Sequence, residues 1–534
     1  MSIYRKTLRA RNVQFSSFVK VFIGLFLTAA IIFPLFSMLG NMSRTNIAEI
    51  VQSAQFKPAL FHSIAVAGTA TIISIVIAYI FALCLVRSNM PFREITAVFV
   101  TLPMLIPSIS HGMGLVLLLG SNGILTRMFN LSHSIYGFSG IVTGSVLYAF
   151  PVAFLMLADI LKYEDGSPYE AAEVLGIPRL NRFFSISFAY LRKPLISVVF
   201  AVFTLIFTDY GVPLMIGGRY TTLPVLMYQE VIGLLHFDKG SVIGSFLLIP
   251  AVIAFLFDLF NKDLSNQGFV SRQKTKKEHK LRDMLASLYS IVVCALIALP
   301  IVVFALLTFV KQYPLDMSFS LSNITKTLDM GAGKYLANSL IISTGVAVLG
   351  TILSYVVAYF TARTRGNTSR FLHLVSITSL AIPGMVLGLS YVLFFKGSFI
   401  YGTFSMLILV NTVHFMASPY LMAYNSLGKL NGNLEDVGRT LGIGRLHVII
   451  DVLIPQTKHT VLEMISCFFV NSMMTISAVS FLSTMGNKPV SLMITEFEGQ
   501  LFLEGAAFVS LLILVCNFTV KTLIYFLEKR FREV

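Results

Sequence analysis

Two short polar stretches place an acidic residue and a glycine at the same spacing. Glu170 precedes Gly176 in "SPYEAAEVLGIPRL", and Asp436 precedes Gly442 in "NLEDVGRTLGIGRL". Such a carboxylate can cap its own helix, or it can present a negative charge to a basic partner surface. The sequence contains no nucleophile elbow, HExxH or paired-cysteine metal motif, so we expect recognition rather than catalysis.

The residues around each acid predict a helix of about two turns. The run SPYE from Ser167 has the pattern of a capping box with proline at the first helical position, and Asn433 is expected to cap the second copy. Gly176 and Gly442 stand where a left-handed C-terminal cap is expected. Local capping, worth about 1 kcal/mol for each acid, is the simpler interpretation, but the recurrence of the whole pattern favours a functional one.

The rest of the chain is strongly apolar. Of 534 residues, 56% are hydrophobic and only 12% are charged, about half the charged fraction of a soluble domain. Long apolar runs predict an all-α integral membrane protein with about twelve transmembrane helices. Their centres lie near Phe26, Ile75, Ile106, Tyr148, Val202, Pro250, Ala295, Leu349, Pro383, Val410, Phe469 and Leu512. No series of alternating ten-residue segments indicates a porin-like barrel.

The distribution of Lys and Arg predicts the orientation of these spans. The net charge of +15 is explained by the positive-inside rule rather than by nucleic-acid binding. With both termini cytoplasmic, the loops on that side hold about three times as many cations as the outer loops. The first apolar run, from about Val19 to Leu39, is too long for a cleaved signal peptide and is expected to remain as a span.

The sequence divides into two similar halves. Residues 1–260 form the first, a basic cytoplasmic linker covers 261–283, and residues 284–534 form the second. "HSIAVAGTATIISIVIAYIFALCLVR" parallels "NSLIISTGVAVLGTILSYVVAYFTAR", and "LIPSISHGMGLVLLL" parallels "AIPGMVLGLSYVLFF". Six spans per half give a parallel duplication, with a substrate path expected between the halves. The linker is interpreted as a solvated tether near anionic headgroups.

The repeated acidic stretch resembles the EAA loop of ABC importer permeases, which runs E-A-A, three residues, G, nine residues, I, one residue, L-P. The first copy, residues 167–189, has Glu170, Ala171, Ala172, Gly176 and Ile186, with Phe188 and Ala189 in place of L-P. The second copy, residues 433–455, has Asp436, Val437, Gly438, Gly442 and Val452, followed by Ile454 and Pro455.

This resemblance implies a type I importer permease with two copies fused in one chain, in a bacterial inner membrane. In that family the EAA segment is the coupling helix, which docks on a cytoplasmic ATPase, so two ATPase copies and an external substrate-binding protein are implied. Arg179 and Arg445 could pair with acids on that partner, or they could be ordinary positive-inside cations. The sequence has no phosphate-binding loop, since "MGAGKYL" has the wrong spacing. No cofactor is therefore expected in this chain, and ATP would be used by the partner.

Polar residues within the apolar runs are candidates for the translocation path. They are Asp209, Tyr210, His111 and Ser477. For His111, as for His414, a packing role is the simpler interpretation. Asp209 is expected near an outer gate, because an unpaired carboxylate at membrane depth is costly.

Two other classes remain open. Twelve spans in two parallel halves also describe a secondary transporter of the major facilitator type, although such a protein has no evident use for a repeated acidic helix. A channel or scaffold subunit without coupling is the other alternative. Fused permeases of the resembling kind serve ferric iron, thiamine or aminoethylphosphonate, and the run from Asp209 looks most like the iron and phosphonate branches.

Overall fold

The computed structural model describes residues 18–132, 134–260 and 279–532. Within that part, helices dominate, and the one sheet is an antiparallel pair of strands, Val310–Gln312 and Asp316–Phe319. The predicted linker lies mostly outside the described residues. The prediction of an all-α membrane protein is confirmed, with this small hairpin as an addition that the sequence analysis did not foresee.

Nine described helices are long and apolar enough to cross a membrane, with hydropathies of 1.3 to 3.0. They are Phe18–Arg44, Phe56–Arg87, Ser108–Phe129, Phe138–Lys162, Leu180–Phe207, Phe237–Phe257, Lys280–Thr308, Ala332–Arg363 and Leu503–Phe531. Two bent pairs raise the number to eleven. The remaining predicted span corresponds to Lys458–Met474, which is shorter at 17 residues.

Shorter helices connect these spans. The short α-helices are Ile47–Gln52, Arg93–Val100, Ser167–Val174, Arg179–Arg182, Gly211–Ile216, Leu223–Tyr228, Ser322–Asp329, Leu434–Thr440, Arg445–Val448, Ile454–Gln456 and Met493–Gly499. Turns of π-helix occur at Thr28–Ile32, Phe183–Phe188, Gln229–Gly233 and Ile449–Leu453.

Proline interrupts the third and ninth predicted spans, which are therefore not single straight helices. Pro107 and Pro383 adopt extended conformations, with ψ of 149° and 144°, directly before helices Ser108–Leu119 and Gly384–Phe395. In the second half the two segments meet at 112°. Proline disfavours the helical conformation of the residue that precedes it, because its ring clashes with that residue's backbone. Non-helical backbone at membrane depth needs burial within protein, and the helices after both prolines are largely buried.

One compact unit contains residues 46–330 and 493–514. Its centre is the pairing of helices Phe56–Arg87 and Phe138–Lys162, where Phe81 is fully buried and meets Phe154 edge-on with ring centroids 5.0 Å apart. Helix Lys280–Thr308, the first of the second half, also packs in this unit. A Cβ on Gly114 would lie 2.6 Å from the Cβ of Pro300, so glycine is required for this close approach.

Among the described residues, the other compact unit contains 18–45, 331–492 and 515–532. Helix Ala332–Arg363 packs on Lys458–Met474, with the ring of Phe468 directly above Gly350. Helix Phe18–Arg44 of the first half belongs here, among helices of the second half. The hydroxyl of Tyr391 donates a 2.7 Å hydrogen bond to the carbonyl of Ala30, which lies in a π-helical turn.

Each compact unit therefore takes the first helix of the other half. The predicted boundaries at 260 and 284 describe repeats in the sequence, and the packing divides the chain differently. Hydrophobic periodicity reports which face of a helix is apolar, but it does not say which neighbour covers that face.

Candidate functional site

The first EAA segment forms helix Ser167–Val174, which we call the first loop helix. Its N-cap is Gly166, and the carboxylate of Asp165 accepts hydrogen bonds from the backbone N–H of Ser167 at 3.0 Å and from its hydroxyl at 2.8 Å. The predicted capping box is wrong by one residue, because Ser167 is already the first helical residue.

The second EAA segment forms helix Leu434–Thr440, the second loop helix. Asn433 is its N-cap but makes no side-chain capping bond there, contrary to the prediction. Instead Asn431 Oδ1 accepts from the backbone N–H of Asn433 at 3.0 Å. Since Asn431 aligns with Asp165 in the ungapped repeat, both segments begin with the same turn closed by an Asx side chain.

Glycine ends both loop helices as predicted. Gly176 has φ +67° and Gly442 has φ +75°. The N–H of Ile177 bonds to the carbonyl of Ala172 at 3.0 Å, and that of Ile443 bonds to the carbonyl of Gly438 at 2.8 Å. These are Schellman caps. A Cβ on either glycine would meet nothing within 4 Å, so the requirement for glycine comes from the backbone conformation alone.

The second alanine of the EAA pattern is buried in the chain itself. Ala172 is 3% exposed, while Ala171 is exposed. In the second copy a Cβ on Gly438 would lie 2.6 Å from Cγ2 of Val448. The two alanines of the EAA pattern therefore differ in their surroundings. Only Ala171 is available to a partner, because the position of Ala172 and Gly438 faces the chain that follows the loop helix.

Exposed apolar side chains cover the outer surface of each loop segment. They are Val174, Leu175 and Leu180 in the first, and Val437, Leu441, Ile443 and Leu446 in the second. Val174 is 88% exposed and Leu441 is 70% exposed. Glu170 and Asp436 are exposed beside these surfaces. Several exposed apolar side chains on one short segment, together with an acid, are typical of a protein interaction site.

The predicted charges near the loop helices differ in their surroundings. Asp436 forms an exposed ion pair with Arg439 on the same helix, with Oδ1 and Nη1 3.1 Å apart. Arg445 is half-buried. The side chain of Arg179 lies outside the described part of the chain.

Two arginines with largely buried side chains hold the loop segments, and the sequence analysis missed both. Arg87 ends helix Phe56–Arg87 and pairs with Glu164. Arg363 ends helix Ala332–Arg363 and pairs with Glu435. The signal was present, since both arginines end stretches that align between the halves. The acid that each arginine binds lies more than seventy residues away along the chain. The two acids also do not align with each other in the repeat, so periodicity does not reveal them.

The hydroxyl of Tyr169 extends the first of these pairs, since it donates to Glu164. Ser187 Oγ lies 2.5 Å from the same hydroxyl oxygen and donates to it. Burial raises the pKa of Tyr169, and the hydrogen bond to Glu164 raises it further. The hydroxyl therefore stays protonated as a donor at neutral pH.

Three of the four predicted path residues lie in the unit that contains residues 46–330. The carboxylate of Asp209 accepts from the backbone N–H of Val212 at 3.0 Å and also bonds Ser108. His111 meets the ring of Tyr148 edge-on at 5.7 Å. Both residues thus gather near the start of helix Ser108–Leu119.

Tyr210 is buried and stacks on Tyr228 with centroids 5.2 Å apart. Ser477 lies in the other unit, against Gly384, where a Cβ would be 2.2 Å from the serine Oγ and 3.1 Å from Nε2 of His414. In the repeat, Gly384 aligns with Ser108, and Ser477 aligns with Gly211. The two aligned positions therefore carry serine and glycine in the opposite order in the two halves.

Comparison with known proteins places both halves of the chain in the same protein family. The family described as binding-protein-dependent transport system inner membrane component matches residues 70–265 and 350–533. The ferric transport system permease protein FbpB of Actinobacillus pleuropneumoniae is 26% identical over 476 residues, which is 86% of this chain and 69% of that protein.

Thiamine transport system permease proteins ThiP are also similar. That of Brucella abortus is 27% identical over 231 residues, covering 40% of this chain and 41% of its own. That of Salmonella typhimurium is 22% identical over 471 residues, covering 85% of each. The chain therefore belongs to the family of binding-protein-dependent transport system inner membrane components, as a multi-pass permease subunit of an ABC importer.

Proposed function

We propose that this permease couples to two copies of a separate cytoplasmic ATPase, one at each loop helix, and imports ferric iron or a phosphonate-like small solute delivered by an external binding protein. The observation that carries the proposal is the pair of glycine-capped loop helices, each with an exposed apolar surface and an acid at its edge. Two equivalent surfaces suit two identical partners.

The partner is expected to supply the energy, since the sequence has no phosphate-binding loop. ATP closes the ATPase pair, the docked loop helices move, and the population shifts from inward-facing to outward-facing permease. The binding protein then releases solute into the path, and hydrolysis resets the inward-facing state. Both chain termini and both loop helices lie on the cytoplasmic side in this proposal.

Cysteine cross-linking tests the docking. In a variant without the four native cysteines, Val174→Cys and Val437→Cys should each cross-link to the ATPase. Phe399→Cys, which is 94% exposed in a predicted outer loop, is the matched control and should not. A membrane-impermeant thiol reagent added outside cells should label only Phe399→Cys. Labelling of Val437→Cys from outside would overturn the orientation.

Ferric iron is the first candidate solute, because the ferric permease relative aligns over 86% of this chain. The aminoethylphosphonate alternative rests on sequence resemblance alone. The complex reconstituted in liposomes should hydrolyse ATP faster with the binding protein loaded with its true solute. Stimulation by ferric iron and not by phosphonate would decide between the two. Import that needs no ATP and stops with a protonophore would favour a secondary transporter instead.

Asp209, Tyr210, His111 and Ser477 are proposed to border the path, with Asp209 near the outer gate. Asp209→Asn is the sharpest test, because asparagine can still accept from the N–H of Val212 while the charge is removed. Import should fall although the protein folds. Unchanged import would leave Asp209 as a local helix cap only.

A further inference from the structure

Each half ends its second long helix with an arginine that reaches the loop segment. Helices Phe56–Arg87 and Ala332–Arg363 both have 32 residues, and the two arginines occupy aligned positions. Most positive-inside arginines are solvated, but here the side chains are only 17% and 5% exposed. Buried guanidinium groups are costly unless they are paired and hydrogen-bonded, so a specific contact must hold them.

In the second half this contact is made to the loop helix itself. Nε and Nη2 of Arg363 donate to Oε1 and Oε2 of Glu435 at 2.7 and 2.5 Å. Glu435 lies in the first turn of the second loop helix. The same guanidinium donates to the carbonyls of Leu430 at 2.8 Å and Asn431 at 2.7 Å. Two-point pairing of this kind fixes orientation as well as distance.

In the first half the contact is relayed. Arg87 pairs with Glu164, which precedes the first loop helix by three residues and is 4% exposed. Tyr169, within the helix, then donates its hydroxyl to Glu164. Movement of the first loop helix thus reaches Arg87 through one additional hydrogen bond.

The ungapped repeat shows how the two arrangements are related. Glu435 aligns with Tyr169, and Glu164 aligns with Leu430. The arginine is the same in both halves, whereas its acid has moved by five positions. Two different side-chain solutions that hold the same pair of elements indicate that the link itself, rather than either acid, is what the fold requires.

We propose that Arg87 and Arg363 are positioning residues that bind each loop helix to the end of its transmembrane helix, so that the two move together when the ATPase closes. The link is direct in the second half and relayed in the first, so the second transmits displacement more stiffly. This inference rests on the proposed docking of an ATPase at the loop helices.

The test measures solute imported per ATP hydrolysed, in liposomes that contain the full chain, its ATPase and the loaded binding protein. Arg363→Gln should lower this ratio about tenfold, which is within the usual range of coupling between two sites, and Arg87→Gln should lower it less. Arg365→Gln, an exposed arginine two residues away, is the matched control and should keep the wild-type ratio.

An exchange of the two arrangements separates positioning from general damage. Glu435→Tyr alone should lower the ratio, and Leu430→Glu combined with Glu435→Tyr should restore it by rebuilding the relay of the first half. In the first half, Tyr169→Glu with Glu164→Leu should also remain coupled. The proposal would be overturned if neither double variant imported more solute per ATP hydrolysed than Glu435→Tyr does.

The same experiment distinguishes this inference from the proposed function. If the wild-type chain neither binds the ATPase nor needs ATP for import, the docking proposal itself fails. If the wild type is coupled but Arg87→Gln and Arg363→Gln keep its ratio, docking stands and the positioning role is wrong. Cross-linking of Val174→Cys and Val437→Cys to the ATPase should persist in both arginine variants, since docking surfaces are left in place.

Discussion

The two loop segments share a backbone and differ in the side chains that hold it. Both begin with an Asx turn, at Asp165 and Asn431, and both end with a left-handed glycine. The small residue facing the rest of the chain is alanine in one and glycine in the other. The buried anchor is a relay in the first and a two-point pair in the second.

This difference separates two kinds of requirement. A left-handed turn is satisfied almost only by glycine, so its position is visible in the sequence spacing. A buried charge needs a partner of opposite sign, and several positions can supply one. Residues required by the backbone conformation therefore recur at fixed positions in the repeat, while the acid that pairs with a buried arginine can occupy different positions.

The largest difference between the segments is expected at the small buried position. Gly438→Val should lower the free energy of unfolding by about 2–3 kcal/mol, because the new side chain overlaps Val448. Adding Val448→Ala should recover much of this loss. In the first segment Ala172→Gly should cost only about 1 kcal/mol through helix propensity. Thermal unfolding of the purified protein measures both, and equal losses would contradict the unequal packing.

A similar loss in both segments is expected at the glycine caps. Gly176→Val and Gly442→Val should each cost about 1–2 kcal/mol, because φ is positive and no neighbour lies close. Import should fall while ATP hydrolysis persists. Gly176→Asn and Gly442→Asn are the controls, since asparagine tolerates this conformation. Unchanged import in both valine variants would remove the glycines from the mechanism.

A smaller effect, confined to the first segment, is expected at the relay. Tyr169→Phe removes the hydroxyl that donates to Glu164 and should cost about 1 kcal/mol. Ser187→Ala should add little in the Tyr169→Phe background, since its 2.5 Å contact is already lost. Thermal unfolding of the single and double variants gives the coupling. Additive losses would show that Ser187 acts elsewhere.

The smallest effect is expected at the exposed acids. The Asp436–Arg439 pair is solvent-exposed, so Arg439→Gln should change stability by less than about 0.5 kcal/mol. Glu170→Gln and Asp436→Asn should be similarly mild. Any large loss of import in these two variants would then report a partner contact. Wild-type ATPase binding, measured by co-purification, would limit both acids to local roles.

The features that were predicted correctly are those that depend on residue spacing and on local composition. Apolar runs identified the spans, and Gly176 and Gly442 were predicted as left-handed. The N-cap of the first loop helix was predicted one residue too late, at Ser167, whereas Asn433 is the predicted N-cap of the second but lacks the expected side-chain bond. In both segments an Asx side chain two residues earlier closes the turn instead. The Arg363–Glu435 pair joins positions 72 residues apart, and no local pattern specifies which of several acids an arginine will meet.

The exchange of first helices has a consequence for assembly. Helix Phe18–Arg44 of the first half lies in the unit that also holds residues 331–492, and helix Lys280–Thr308 of the second half lies in the unit that begins at residue 46. Each unit therefore draws helices from both halves. Two separately expressed halves would each leave one compact unit without a helix that the other half supplies. Covalent fusion thus guarantees that unlike halves meet in equal number, which leaves each free to diverge in its anchoring and outer loops.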